Sequence, residues 1–401
     1  MKNYQLINKL FPISILKILT ILFNFILIKV ILIYYPDNYS NKILNGLFLL
    51  PFISVIINFG CVNRLVSEVN FLNQQNNFNY LFSNLLSSAF INLLIILVIN
   101  SFILNKNLLN NIYIICSFFL IIIFSISEIL VLKKKQNFSY LLHFLIPTLI
   151  LLIIFFFKNL ISFEIIILFS YFFVLIISLI IVIKKFKIFN KNFSFNLTIS
   201  NFLINLKYFV NFSISSSIFY IPIIYYSVLN KNEIYALSLL IIYRIFFTLE
   251  NSSHIISSTF NSKYFLEKYT LDSLKYLFNL IFYNFLFLLT FFLCIILNRN
   301  LFFNFFEINV DSQVLNNFYV ILITFILSSL LGSFIKNNVR FYGLKILFAS
   351  NLFFFFLFFL LITKFSFVIA FAISLVSYKL VHLILMLNIF RVSKYKTIKF
   401  N

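Results

Sequence analysis

Arg244 is the side chain in this sequence whose position most needs a chemical reason. It stands ten residues into an apolar stretch, Ile234–Phe260. If that stretch is a helix across a bilayer, the guanidinium lies about 15 Å deep at 1.5 Å per residue. Arg keeps its proton, and from mid-helix it reaches water poorly. A charge at that depth costs about 2.5–3.5 kcal/mol on the insertion scale, so it is expected to face a cavity or a partner. Thr248 and Asn251 follow at i+4 and i+7, which puts a polar stripe on one helical face. A fixed guanidinium fork beside such a stripe is suited to gripping an anion, phosphate above all. Glu250 and His254 form a second i, i+4 pair nearby. An Arg244–Glu250 ion pair that merely packs helices is the competing reading. The two are six residues apart on poorly matched faces, which favours the cavity role.

Other basic groups sit inside apolar stretches. Lys379 lies deep in Ser366–Phe390, with Ser377 close by and His382 at i+3. In the first stretch, Ser14, Lys17, Thr20 and Asn24 have helical spacing and make a second polar stripe. Lys29 is near the far end of that stretch and is expected to snorkel. Glu128 precedes Lys133–Lys135 at a helix end, where a surface ion pair suffices. The deep charges therefore lean cationic, and a cationic cavity suits an anionic substrate. Sites for catalysis are absent from the pattern: there is no phosphate loop, metal-ligand cluster or nucleophile elbow. His143, His254 and His382 fall in different stretches, where hydrogen-bonded packing is the expected role. The reading is of a transporter rather than an enzyme, with no cofactor and no metal.

The elements that must hold these residues follow from composition. Of 401 residues, 62% are hydrophobic and 10% charged. Apolar runs of this length match the ~30 Å hydrocarbon core, and they do not alternate as barrel strands would. The expected spans are Leu10–Tyr34, Ile43–Val62, Tyr80–Leu104, Ile112–Leu132, Phe138–Phe157, Ile161–Ile183, Phe209–Leu229, Ile234–Phe260, Tyr276–Leu297, Phe318–Ile335, Ile346–Thr363 and Ser366–Phe390. The fold class is all-α polytopic, with about twelve transmembrane helices by the length rule. The run that begins near Leu10 continues past Val30 with no small-residue cleavage site, so it is read as a retained first span.

Lys and Arg set the orientation. With the N-terminus inside, the outer segments hold only Lys42, Lys106, Lys158, Lys231, Arg299 and Lys364. The other loop cations, including Arg64, Lys133–Lys135, Lys184, Lys185, Lys187, Lys191, Lys207 and Arg340, fall inside. Both termini are then cytoplasmic. The most basic connection, 184–208, divides the chain into an N-terminal six-helix lobe (1–183) and a C-terminal one (209–390), with a tail at 391–401. Paired six-helix halves are a common transporter plan. The Phe209–Leu229 span is unusually polar, with Asn211, Ser213, Ser215–Ser217 and three Tyr, and Pro222 interrupts it. Such a helix lines water or packs closely on a neighbour.

Several classes are excluded. The net charge of +21 is spread over short loops, the pattern of topology and anionic-lipid contact and not of nucleic-acid binding. Cys61, Cys116 and Cys294 have neither disulfide nor zinc spacing. The 61 Phe accompany abundant Ile, Asn and Lys, as AT-rich codon usage would produce, and carry no functional signal. With no Trp, an aromatic belt would use Tyr34, Tyr35, Tyr113, Tyr208 and Tyr319.

The topology and two local segments carry a resemblance. At the end of the second span stands Asn58-Phe59-Gly60-Cys61-Val62-Asn63-Arg64-Leu65-Val66-Ser67-Glu68, and in the eighth Tyr243-Arg244. The chain resembles the polysaccharide-biosynthesis flippases, the Wzx-like O-antigen and capsule translocases, in the superfamily that also holds MATE exporters and lipid II flippases. The resemblance implies two lobes that rock around a V-shaped central cavity. It implies basic residues on helices one, two, seven and eight of the cavity wall. Lys17, Arg64 and Arg244 match three of these, and the seventh span has no basic residue. The implied substrate is an undecaprenyl-diphosphate-linked oligosaccharide, its diphosphate on the basic groups and its lipid tail in the bilayer. The substrate-binding set is then Arg244, Lys17, Lys379, Arg64, Asn24, Thr248 and Asn251. A polysaccharide polymerase and chain-length proteins are the implied protein partners. Two alternatives stand beside this reading. One is a MATE-type small-molecule or cation exporter, against which the first span offers no acid. The other is a polytopic polymerase or ligase, against which the longest outer loop, Asn298–Asn317, is small.

Overall fold

The computed structural model describes residues 2–62, 64–65, 75–102, 111–132, 136–158, 160–186, 199–210, 218–225, 237–249, 282, 285–286, 289–308, 310–342 and 344–393. Among these every regular element is helical and none is a strand. The helices are α1 (Lys2–Tyr34), α2 (Asp37–Asn58), α3 (Gln75–Phe102), α4 (Asn111–Leu132), α5 (Gln136–Phe157), α6 (Phe163–Phe186) and α7 (Ile199–Tyr208). After a single turn at Ile221–Ile224 come α8 (Leu237–Leu249), α9 (Arg299–Phe305), α10 (Ser312–Tyr342), α11 (Leu344–Ile362) and α12 (Phe367–Ser393). Helices α1 to α6, α10 and α12 are long and apolar enough to cross a bilayer, and α8 and α11 carry shorter apolar stretches. The chain is a polytopic all-α membrane protein, and its solvent is the bilayer.

Expected spans at Leu10–Tyr34, Tyr80–Leu104, Ile112–Leu132, Phe138–Phe157, Ile161–Ile183, Phe318–Ile335, Ile346–Thr363 and Ser366–Phe390 fall on α1, α3, α4, α5, α6, α10, α11 and α12. Most of Phe209–Leu229, the first part of Tyr276–Leu297, and Lys133–Lys135 lie outside the described residues. The second span departs from expectation at its end. Helix α2 stops at Asn58 and not at Val62, because Phe59 (φ 44°, ψ 41°) turns left-handed. Gly60 follows at φ 76°. The chain is helical again from Cys61, with Asn58 Oδ1 accepting from the Val62 N–H at 2.7 Å as a cap.

The chain forms two compact units, Met1–Ile224 and Tyr225–Asn401. In the first, α4 is the hub and packs on α2, α3, α5 and α6, while α1 packs on α5. Its buried Ser117, Ser125 and Ser127 allow close helix approach. Ser117 Oγ is 3.0 Å from the Leu50 carbonyl of α2 and 2.8 Å from that of Tyr113. Tyr113 is buried and is not a belt residue: its ring lies where a Cβ on Gly46 of α2 would have to go. Tyr34 does sit at a span end, with Lys158 Nζ 3.5 Å above its ring.

In the second unit, α12 packs on both α10 and α11. Its core is aromatic. Phe246 of α8 meets Phe292, Phe302, Phe318 and Phe325 at 5.4–6.3 Å between ring centroids. The expected loop Asn298–Asn317 contains α9, which lays Phe302 and Phe303 on Phe318. Arg299 Nη1 donates to Tyr319 Oη at 2.6 Å across this turn.

Candidate functional site

Helix α8 positions Arg244. Leu239 to Tyr243, Ile245 to Phe247 and Leu249 are buried in the aromatic core of the second unit. From Ser238 to Leu249, only Arg244 and Thr248 are partly exposed. One i, i+4 pair thus escapes the packing, as the sequence stripe requires. Thr248 Oγ1 donates to the Arg244 carbonyl at 2.8 Å, so its hydroxyl is satisfied on its own helix. The guanidinium carbon lies 5.7 Å from the Phe247 ring centroid, within cation–π range. Tyr243 is buried, with Phe325 at 5.2 Å, Phe371 at 6.0 Å and Phe247 at 6.2 Å between ring centroids. Asn251, Glu250 and His254 lie outside the described residues.

Lys379 and His382 are both buried on α12, as is Ser374. The Lys379 charge is within electrostatic reach of His382. Neither ring nitrogen of His382, nor Ser374 Oγ, has a hydrogen-bond partner among the described residues. Tyr378 packs beside them, its ring 6.1 Å from that of His382. The hydrogen bond expected of a packed His382 is thus not among those of the described residues.

Lys17 occupies the same kind of position in the first unit. Its side chain is buried between α1 and α5, with Nζ 4.7 Å above the Tyr140 ring. That ammonium has no hydrogen-bond partner among the described residues. Close by, Ser127 Oγ is 2.5 Å from Ser139 Oγ and 2.9 Å from His143 Nε2. His143 is thus hydrogen-bonded as expected, and Lys17 is within electrostatic reach of it. Sequence spacing flagged Lys17 but not Tyr140, Ser127 and Ser139, which come from other helices. Thr20 and Asn24 of the α1 stripe bond locally. Thr20 Oγ1 donates to Leu16 O at 2.7 Å, and Asn24 Nδ2 to Thr20 O at 2.8 Å.

Arg64 stands apart from these. It is buried, and its Nη1 donates to Asn201 Oδ1 at 3.1 Å and Asn205 Oδ1 at 3.2 Å, both on α7. Phe59 stacks between Phe202 and Phe209, at 5.0 and 4.8 Å between centroids. A Cβ on Gly60 would collide with the backbone of Asn205 and Phe209. Phe59 and Gly60 are therefore the seat of α7, and Arg64 is its clasp.

One acid escaped the sequence reading. Glu164, in the first turn of α6, accepts from Tyr39 Oη at 2.6 Å. Tyr35 and Tyr113 lie within its electrostatic reach. Its place at the edge of an apolar run hid it. Among the described residues no three His, Cys, Asp or Glu side chains could hold a metal ion together.

No protein-family model matches the chain, and no curated protein matches it. Solved structures do. One is the outward-facing conformation of a multidrug resistance MATE family transporter of the MOP superfamily, at 11% identity and a TM-score of 0.60 over 97% of this chain and 96% of that one. A MATE in complex with MaD5 gives 12% and 0.62, over 97% of this chain and 95% of that one. A MATE in complex with MaD3S gives 11% and 0.59, over 97% of each. At such identities the likeness speaks for the fold alone, and the chain shares the fold of MATE transporters along nearly its whole length.

Proposed function

We propose that this chain is a flippase that moves an undecaprenyl-diphosphate-linked oligosaccharide across the cytoplasmic membrane by alternating access of two lobes. The observation that carries this reading is the cationic character of its deep polar groups on a transporter fold. Arg244 is the partly open charge on α8, and Lys17 and Lys379 are buried on α1 and α12. A diphosphate headgroup cannot enter hydrocarbon uncompensated, and Arg with two weaker Lys helpers offers both grip and release. Thr248, Asn251 and Asn24 would line the path of the sugars. Arg64 would contribute potential at the inner mouth while clasping α7. Both termini and the 184–208 connection are cytoplasmic in this scheme, with lobes 1–183 and 209–390. A polysaccharide polymerase and chain-length proteins would take over the product. Reconstitution tests it: proteoliposomes holding the lipid-linked oligosaccharide should expose it to an external glycosidase only when the protein is present. No acceleration would reject the reading.

A second reading is a MATE-type exporter of small molecules or cations. Two observations favour it: the similar solved structures are MATE transporters, one of them of multidrug resistance, and Glu164 supplies an acid in the first unit. Efflux of cationic dyes from cells expressing the chain would distinguish it from the flippase.

A further inference from the structure

Helix α7 is amphipathic in the sense opposite to a helix in water. Asn201 and Asn205 point inward, 4% and 1% exposed, onto Arg64. Leu203 points outward, 58% exposed, and is flanked by Ile204 at 39% and by Phe202 at 50%, one face of whose ring stacks on Phe59. At 10 residues the helix is about 15 Å long, half the thickness of a hydrocarbon core. Its level is set by what it packs on. The apolar stretch of α2 runs Tyr39–Asn58, and α7 is seated on Phe59, Gly60 and Arg64 immediately beyond it. With Tyr39–Asn58 as the stretch that crosses the hydrocarbon, α7 falls at its end, the level expected of the headgroups. The approach to the helix is basic: Lys184, Lys185, Lys187 and Lys191 precede it, Lys207 is exposed in its last turn, and residues 184–208 contain no Asp or Glu.

We propose that the outward face of α7 is a lipid-docking surface, seated in the interfacial zone of the membrane and selective for anionic headgroups. The 184–208 connection then ends as a membrane-bound helix and not as a free aqueous loop. Leu203, with Phe202 and Ile204 beside it, reaches the acyl boundary, and Lys207, exposed in the last turn, meets lipid phosphate, while the basic sequence before the helix adds positive charge, the combination that holds interfacial helices. Water would leave three adjacent apolar side chains exposed, while the polar face that could have met it is consumed by Arg64. This inference does not depend on what the protein transports.

The chain has no Trp, so Leu203→Trp makes a single fluorescent reporter in the full-length protein. In proteoliposomes its emission should be blue-shifted and shielded from acrylamide. Brominated phosphatidylglycerol should quench most of it, and brominated phosphatidylcholine less. Quenching by acrylamide would put the face in water and overturn the proposal. Shielding from both acrylamide and brominated lipid would mean that protein, such as a second copy, covers it, and would overturn it too. Equal quenching by the two lipids would remove the headgroup preference. Ile204→Trp, on the same exposed face, repeats the measurement should Leu203→Trp fail to insert.

Discussion

Arg64 and Asn201 are 137 residues apart in sequence and 3.1 Å apart in space, the guanidinium donating to a buried amide oxygen. With Asn205 at 3.2 Å, this ties α7 to the turn that ends α2. A hydrogen bond to a charged group contributes about 1.5–3 kcal/mol, and truncating one partner leaves the others buried and unsatisfied. Arg64→Ala should therefore lower the melting temperature of the purified protein clearly. Asn201→Ala and Asn205→Ala should each cost less. In a double-mutant cycle, Arg64→Ala with Asn205→Ala should be less than additive. Full additivity would dissolve the clasp.

Gly60 has two independent reasons to be glycine. Its φ of 76° penalises any Cβ, and a Cβ would also strike the backbone of Asn205 and Phe209. Left-handed backbone alone costs a non-glycine residue about 1–2 kcal/mol. Gly60→Ala should thus destabilise beyond that figure and should loosen α7. Raised protease cleavage within 187–198, beside a lowered melting temperature, would report it. A melting temperature equal to that of the wild type would contradict the geometry.

Lys17 predicts a conflict between stability and activity. An ammonium buried with no hydrogen bond among the described residues is held at a cost, about 2.5–3.5 kcal/mol on the insertion scale at mid-membrane. Lys17→Met keeps the length and removes the charge. The variant should melt at a higher temperature and lose transport. A variant that gained stability and kept full transport would reduce Lys17 to a tolerated defect.

The long helices were legible because apolar run length alone decides them, and α1, α3, α4, α5, α6, α10 and α12 follow it. The Arg244–Thr248 stripe was legible because i, i+4 spacing is local, and α8 does leave those two positions partly open. What spacing cannot show is a partner on another helix. Tyr113 looked like a belt residue until Gly46 made room for its ring. The resemblance puts Arg64 at the inner mouth, but its clasp on α7 is hidden in the sequence because its Asn partners sit in a connection that reads as a hydrophilic linker. The second span was drawn four residues too long because nothing in the pattern marks Phe59 as left-handed; the stacking of Phe202 and Phe209 on it is a tertiary fact.

Glu164 separates the two functional readings. Its bond from Tyr39 at 2.6 Å joins α6 to the start of α2, a structural role that Gln can partly keep. In a flippase, Glu164→Gln should leave surface glycan near wild-type levels. In a cation-coupled exporter the same change should abolish efflux, because the site for the coupling ion loses its charge. Surface glycan and dye efflux measured on one strain, with expression matched, decide between them. Loss of glycan in Glu164→Gln at normal expression would count against the flippase as drawn.

Arg244 carries the strongest functional prediction. From Ser238 to Leu249 its helix buries every neighbour except Thr248, so Arg244 and Thr248 share the one partly exposed face of the described helix. The Phe247 ring lies 5.7 Å from the guanidinium carbon, within cation–π range. The diphosphate of the proposed substrate would carry the complementary charge. Losing a charge-assisted hydrogen bond should cost about 1.5–3 kcal/mol, roughly 10- to 100-fold in affinity. Arg244→Ala should therefore insert at normal levels and fail to translocate the lipid-linked oligosaccharide. Arg244→Lys keeps the charge without the fork and should recover only part of the rate. Thr248→Val should have a small effect, since the Thr248 hydroxyl is already spent on the Arg244 carbonyl. Full translocation by Arg244→Ala, at matched expression, would take Arg244 out of the mechanism.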